Sequence, residues 1–306
     1  MATYIISVPA SIGNLGSGFD CAGVSLRLMS TYTVRISKHL RIESDDPRIP
    51  INRTNLVWRA YQKTMRSFFK PVVPLHLVIQ NRIPPGAGLG GSGAAVIAGV
   101  ICAFLVNGQP LVPKQILTSC LQIEQHPDNV AASLIGGFVV TTSTRQPEYC
   151  HLPVPKGWKA VVFIPSKGYD TKEARRILPL KVSRQDAVFN LSRCCFLTLA
   201  FKEKKEYYLK VGMEDALHQP HRARIYPHLA PLYQLAMENG AAGCCLSGAG
   251  PAVAAISSHR WEGIVDAWKD FTRRKRWSGE VIVVSLGGKT SWKKIRDSEA
   301  PRANGE

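Results

Sequence analysis

Residues 84–95 read Pro-Pro-Gly-Ala-Gly-Leu-Gly-Gly-Ser-Gly-Ala-Ala, with five glycines in one short segment. A strand-like run, Leu75-His76-Leu77-Val78-Ile79, precedes it, and an apolar run, Ala94 to Val106, follows. Glycine is costly inside either kind of element, so the segment reads as a turn from strand to helix whose main-chain N–H groups no side chain shields. At a helix N-terminus those donors and the positive end of the helix dipole face an anion, and phosphates are suitable guests. No Gly-Lys-Ser/Thr follows, so this is not a Walker A loop, and the glycine spacing does not make a dinucleotide fingerprint. Taken alone, a purely structural turn explains the glycines as well.

At 306 residues the chain exceeds what one core usually organises, and two domains of roughly 150 residues are expected. The composition, 45% hydrophobic and 20% charged, is that of a globular protein. The run from Ala94 to Val106 is shorter than the roughly 20 residues a bilayer needs. The N-terminus lacks a basic region followed by a long apolar stretch, so a cytoplasmic protein with no membrane association is expected. The eight cysteines show no zinc spacing and read as reduced core thiols. A net charge of +17 raises the possibility of nucleic-acid binding. The basic residues are spread along the chain, however, and the cluster Arg273-Arg274-Lys275-Arg276 reads as a solvated helix end, so that class is set aside. The positive field favours anionic nucleotides in a general way.

Along the chain, Tyr4 to Val8 is a strand feeding a glycine-studded loop, and Tyr32 to Ser37 alternates as a half-buried strand. A helix is expected from Asn55 to about Phe69, others from Ala94 to Val106, Lys114 to Glu124 and from Asp128, then a strand after Gly136-Gly137. Thr144 to Trp158 reads as the loose boundary between an α/β first half and an α+β second half. Beyond it come a strand at Ala160–Ile164, helices over about 186–202 and 225–239, and strands over 251–257 and 281–286.

Three segments stand in order: Pro9-Ala10-Ser11-Ile12-Gly13-Asn14-Leu15-Gly16-Ser17-Gly18-Phe19-Asp20, the glycine loop, and Leu246-Ser247-Gly248-Ala249-Gly250-Pro251. They resemble the three motifs of the GHMP kinases. Within that family the branch acting on homoserine is the most similar, through Ile123-Glu124-Gln125-His126-Pro127-Asp128-Asn129, Asp170-Thr171-Lys172-Glu173-Ala174-Arg175 and Leu217-His218-Gln219-Pro220-His221-Arg222. The resemblance implies a two-domain α+β GHMP kinase fold. Its parts would be a ribosomal protein S5 domain 2-like N-terminal domain (1–153), which binds ATP, a ferredoxin-like C-terminal domain (154–296) and a disordered tail (297–306).

By the same resemblance the chain phosphorylates L-homoserine with ATP and Mg²⁺ in threonine biosynthesis, and pairs as a homodimer. Pro85, Gly86, Ala87, Gly88, Leu89, Gly90, Gly91, Ser92, Gly93 and Ala94 would cradle the nucleotide. Ser92 and Glu124 would hold Mg²⁺, as hard oxygen donors suit that ion; a helix N-cap is the other reading of Ser92. Asn55 and Val57 would lie beside the adenine, although a helix start explains them equally. Arg175 and Arg222 would clamp the substrate carboxylate, Asp20 with Asn14 the ammonium, and Gly248 would line the same site. Catalytic candidates are His126, Asp128 and Asn129, around the hydroxyl and the γ-phosphate. Asn129 cannot take a proton, so transfer without a strong base is implied, with Asp128 as the alternative base.

The chain departs from the family pattern at Gly91 and Gly93, where Ser and Ala are common, and nucleotide affinity is what those glycines put at risk. Arg176 leaves open which guanidinium of the Arg175-Arg176 pair faces the substrate. Competing readings are a kinase for another amino alcohol such as L-threonine, and an inactive family member that binds ligand as a sensor.

Overall fold

A computed structural model describes residues 3–142, 146–168 and 171–295. Thr144, Asp170 and the tail expected from residue 297 lie outside the described residues. The first strand, β1 (Thr3–Gly13), continues well into the glycine-studded segment. Ile6, Val8, Ala10 and Ile12 are all buried, and from Val8 to Gly13 the residues between them are buried too, so both faces of the strand's end are covered. Pro9, which has no N–H to give, sits where the register against the next strand shifts. That partner is the long β2 (Ala22–Ile36). There follow β3 (Arg41–Ser44), α1 (Leu56–Ser67) and β4 (Leu75–Gln80). Asn55 caps α1, its side-chain oxygen accepting from the N–H of Val57 at 3.0 Å.

The helix after the glycine loop, α2 (Gly91–Val106), begins earlier than the apolar run, because Gly90 at φ 73° turns the chain into it. Next come α3 (Pro113–Leu121), α4 (Pro127–Ile135), β5 (Phe138–Thr141) and β6 (Tyr149–Leu152). The stretch expected to be a loose linker thus contains β6, which pairs back onto β5.

The second half runs β7 (Lys159–Pro165), α5 (Thr171–Arg176), α6 (Arg184–Lys202), α7 (Tyr207–Gly212), α8 (Gln219–Arg222) and α9 (Leu229–Glu238). Helix α9 starts later than expected, as the residue before Pro227 avoids the helical region. It continues β8 (Gly243–Leu246), β9 (Val253–Ser257), α10 (Trp261–Arg274), β10 (Gly279–Ser285) and β11 (Ser291–Ile295).

Two sheets result. The larger is seven-stranded among the described residues, ordered β11-β1-β2-β4-β3, with β5 also on β2 and β6 beyond β5. The smaller is antiparallel, ordered β10-β7-β9-β8. With its crossover helices, this is the split βαβ arrangement of a ferredoxin-like unit. Both faces of the smaller sheet are covered. Val161 and Phe163 of β7 pack with Leu232 of α9 and Trp268 of α10, while Ala160 and Val162 join the main core with Leu197 and Phe201 of α6. Two covered faces explain why Ala160–Ile164 is apolar without alternation. Phe201 stacks on Phe138 of β5 at a ring distance of 4.1 Å, tying the second half to the first.

Residues 273–276 are exposed at the end of α10. All eight cysteines are free, but Cys150 and Cys195 lie on the surface rather than in a core. No helix among the described residues is long and apolar enough to cross a membrane.

Candidate active site

The three glycine-bearing segments meet where the sheets adjoin. Ser11 N donates to Leu89 O at 3.1 Å, Gly248 N to Gly13 O at 3.1 Å and Ala252 N to Ala87 O at 3.0 Å. The Ser247 hydroxyl adds a bond to Gly88 O at 2.8 Å. The close approach needs glycine at two places. A Cβ on Gly88 (φ 82°) would lie 2.3 Å from Ser247 O, and one on Gly90 (φ 73°) 2.2 Å from Ser11 Oγ. At Gly91 and Gly93 the nearest atoms would be 3.5 and 3.4 Å away, so space does not require glycine there.

Gly90, not Ser92, is the N-cap of α2, and no side chain caps its first N–H groups. Those donors face a cavity of about 120 Å³ walled by Gly88, Ser92, Glu124, His126, Asn129 and Gly248. A second cavity of about 220 Å³, lined by Tyr32, Ile49, Asn55, Val57, Ile79 and Ala95, shares Gly86, Gly91 and Ser92 with the first. Its apolar wall suits a flat aromatic base. Asn55 contributes wall rather than polar contact, since its oxygen caps α1 and its Nδ2 donates to Pro50 O at 2.7 Å.

His126 Nδ1 donates a hydrogen bond to Glu124 Oε1, which leaves Nε2 as an acceptor. Burial alone would raise the Glu124 carboxyl, but the bond and charge of His126 and a hydrogen bond from Ser92 outweigh it and hold it below its ordinary range. Burial opposes charge on His126 too, and the Glu124 pairing wins, raising the imidazole. An ionised, mostly buried carboxylate beside a hydroxyl is a donor set that fits a hard divalent cation such as Mg²⁺. Among the described residues no group of three or more His, Cys, Asp or Glu side chains could hold a metal alone. Phosphate oxygens would have to complete the ion's shell.

Asp128 and Asn129 open α4. The Ser11 hydroxyl donates to Asn129 Oδ1 at 3.1 Å. Asp128 Oδ2 accepts from Asn14 N at 2.9 Å and Asn129 Nδ2 at 3.2 Å, while its Oδ1 is buried without a partner. Burial and then the charge of Asp20 push the Asp128 carboxyl up to about 6, against His126 and two backbone N–H groups. Asp128 does not line the cavity that His126 and Asn129 line.

On the far side of His126 lie the charges suited to an amino acid. Arg175 Nη2 pairs with Asp20 Oδ1 at 2.7 Å and its Nε donates to His126 Nε2 at 3.3 Å, whereas Arg176 is exposed. Arg222 is 1% exposed and bonds three neutral acceptors. Asn14 ties the turn together, with Nδ2 donating to Gly248 O at 2.8 Å and Oδ1 accepting from Asp20 N at 3.0 Å. Sequence reasoning passed over Ser11, Phe19 and His218. Each stood inside a quoted motif, yet nothing in linear order shows that Phe19 lies within 6.0 Å of both guanidinium groups.

The model of the GHMP kinases N terminal domain matches residues 55–137, and that of the GHMP kinases C terminal domain matches residues 200–272. A homoserine kinase of Aquifex aeolicus is 36% identical over 91% of this chain and 95% of its own length. The chain belongs to the homoserine kinase branch of the GHMP kinases. A second homoserine kinase, from Carboxydothermus hydrogenoformans, is 38% identical over 82% of this chain and 84% of its own. The crystal structure of homoserine kinase from Cytophaga hutchinsonii superposes with a TM-score of 0.86 at 26% identity, over 96% of this chain and 97% of that one. A Streptococcus pneumoniae phosphomevalonate kinase shares the GHMP kinase fold with a TM-score of 0.68 at 12% identity, covering 95% of this chain and 99% of that one.

Proposed function

We propose that the chain transfers the terminal phosphoryl group of ATP to the hydroxyl of L-homoserine, giving O-phospho-L-homoserine for threonine biosynthesis. The observation that carries this reading is the Asp20–Arg175 ion pair beside the glycine loop, with Arg222 buried nearby and bonded to no carboxylate among the described residues. A zwitterion matches that set. Its ammonium takes the place of Arg175 at Asp20, and its carboxylate takes Arg175 and Arg222.

The N–H groups at the start of α2 hold the phosphates, and the base lies in the cavity by Tyr32 and Val57. Ser92 and Glu124 are the residues that would hold Mg²⁺, an ion that supplies charge to offset the phosphate oxygens. His126 and Asn129 stand between the phosphate cavity and Arg175, where the substrate hydroxyl would arrive. Asp128, behind them, steadies the Asn14 turn. Positioning and charge, rather than a strong base, carry the transfer.

The test is ADP release by purified protein with ATP, Mg²⁺ and homoserine, threonine, serine or mevalonate in turn. Homoserine should turn over fastest. Turnover of threonine or another alcohol without homoserine sinks the reading, and ligand-dependent stabilisation without turnover favours a sensor.

We infer a cytoplasmic location, a reading that the free thiols support. It pairs as a homodimer through the exposed stripe Val188, Leu191 and Leu199 of α6, beside Leu180 and Val182. Leu191→Asp should then sediment as a monomer, and an unchanged species moves the interface elsewhere.

A further inference from the structure

Arg222 is among the largest fully buried side chains, and a guanidinium in that position is costly unless its donors are met. Ala174 O accepts from its Nε at 3.1 Å and Gly248 O from its Nη1 at 3.1 Å. The third acceptor is His218 Nδ1, 3.1 Å from Nη1. These partners assign the tautomer. His218 Nε2 lies 2.9 Å from Gly16 O, which can only accept, so Nε2 carries the proton and Nδ1 keeps the lone pair that a guanidinium requires.

A protonated His218 would set one N–H against another. Burial opposes protonation and pushes the imidazole down to about 4, although the Asp215 carboxylate, 3.5 Å from Nε2, favours charge. Asp215 is itself engaged by the N–H groups of Leu217 at 3.0 Å, His218 at 3.0 Å and Gln219 at 2.7 Å. The Phe19 ring stacks on His218 at 5.1 Å and fixes its plane.

We propose that His218 is a positioning residue for the amino-acid substrate, a neutral imidazole that ties the Arg222 guanidinium to the Gly16 turn while leaving its positive charge for the substrate carboxylate. This rests on the reading of the site given above. A carboxylate in the same place would hold Arg222 as well, but would compete with the substrate for it.

Two isosteres separate the halves of the imidazole. His218→Asn keeps an acceptor where Nδ1 sits and loses the donor to Gly16, whereas His218→Gln keeps a donor near Nε2 and loses the acceptor for Arg222. The measurements are KM for homoserine and for ATP, kcat, Tm, and calorimetric binding of homoserine. The Gln variant should raise the homoserine KM by about 10-fold or more with the ATP KM within about 2-fold of wild type. The Asn variant should hold the homoserine KM within about 3-fold of wild type. Unchanged homoserine binding in the Gln variant, or homoserine and ATP KM values rising together in both variants as Tm falls, overturns the assignment. Wild-type protein that neither binds nor phosphorylates homoserine overturns instead the substrate reading on which it stands.

Discussion

Asp128 carries a carboxyl that is 1% exposed, with one oxygen unpartnered and a pKa raised from 3.8 to about 6. A raised folded-state value means that the folded chain binds the proton more tightly than the unfolded one. The stabilisation is therefore full below the unfolded value and is lost as pH rises through about 6. Asp128→Asn cannot ionise. Chemical denaturation should show its stability relative to wild type improving by on the order of 2 kcal/mol from about pH 4 to about pH 7. A constant gap would mean that the carboxyl titrates alike in the folded and unfolded chain. Across the site, Arg175→Ala should raise the homoserine KM by roughly 10- to 100-fold and leave the ATP KM unchanged. Steady-state kinetics with each substrate varied decides it, and equal rises would remove Arg175 from the carboxylate clamp.

Across the loop and the first turn of α2 the glycines divide into two kinds. Gly93→Ala meets only an ordinary contact with Val130 at 3.4 Å and should stabilise the protein by about 0.5 to 1 kcal/mol, with the ATP KM no higher than in wild type. Gly88→Ala puts a Cβ 2.3 Å from Ser247 O at φ 82°, costs at least about 1 kcal/mol through the backbone alone, and should lose ATP binding. Thermal melts and nucleotide titration of the two variants test the contrast. The glycine loop, Glu124 and the arginines were legible in sequence because each sits in a compact motif. The extension of β1 to Gly13 was not, since every residue from Val8 to Gly13 is buried and no alternation marks the strand, while Pro9 and Gly13 read as loop. Short strands such as β3 and β6 carry too few residues to show a period. The Asp20–Arg175 contact joins positions 155 residues apart, which no spacing rule predicts.

At the scale of the molecule, β11 pairs along β1 from Thr3↔Ile295 to Ser7↔Ser291, so the chain's second half closes the edge of the first half's sheet. Ending the chain after Thr290 would leave β1 as an exposed edge. The truncated protein should melt at least about 2 °C lower and aggregate sooner, as scanning calorimetry with light scattering would show. An unchanged melt would mean that the strand merely rests on the sheet. The three loops of the site are joined chiefly by main-chain bonds: Ser11 N to Leu89 O, Gly248 N to Gly13 O and Ala252 N to Ala87 O. Bonds of that kind are indifferent to which side chains the loops display. A chain built this way can be retooled. Residues such as Asp20 and Arg175 could be exchanged for others that greet a different alcohol, and the frame presenting ATP to it would stay as it is.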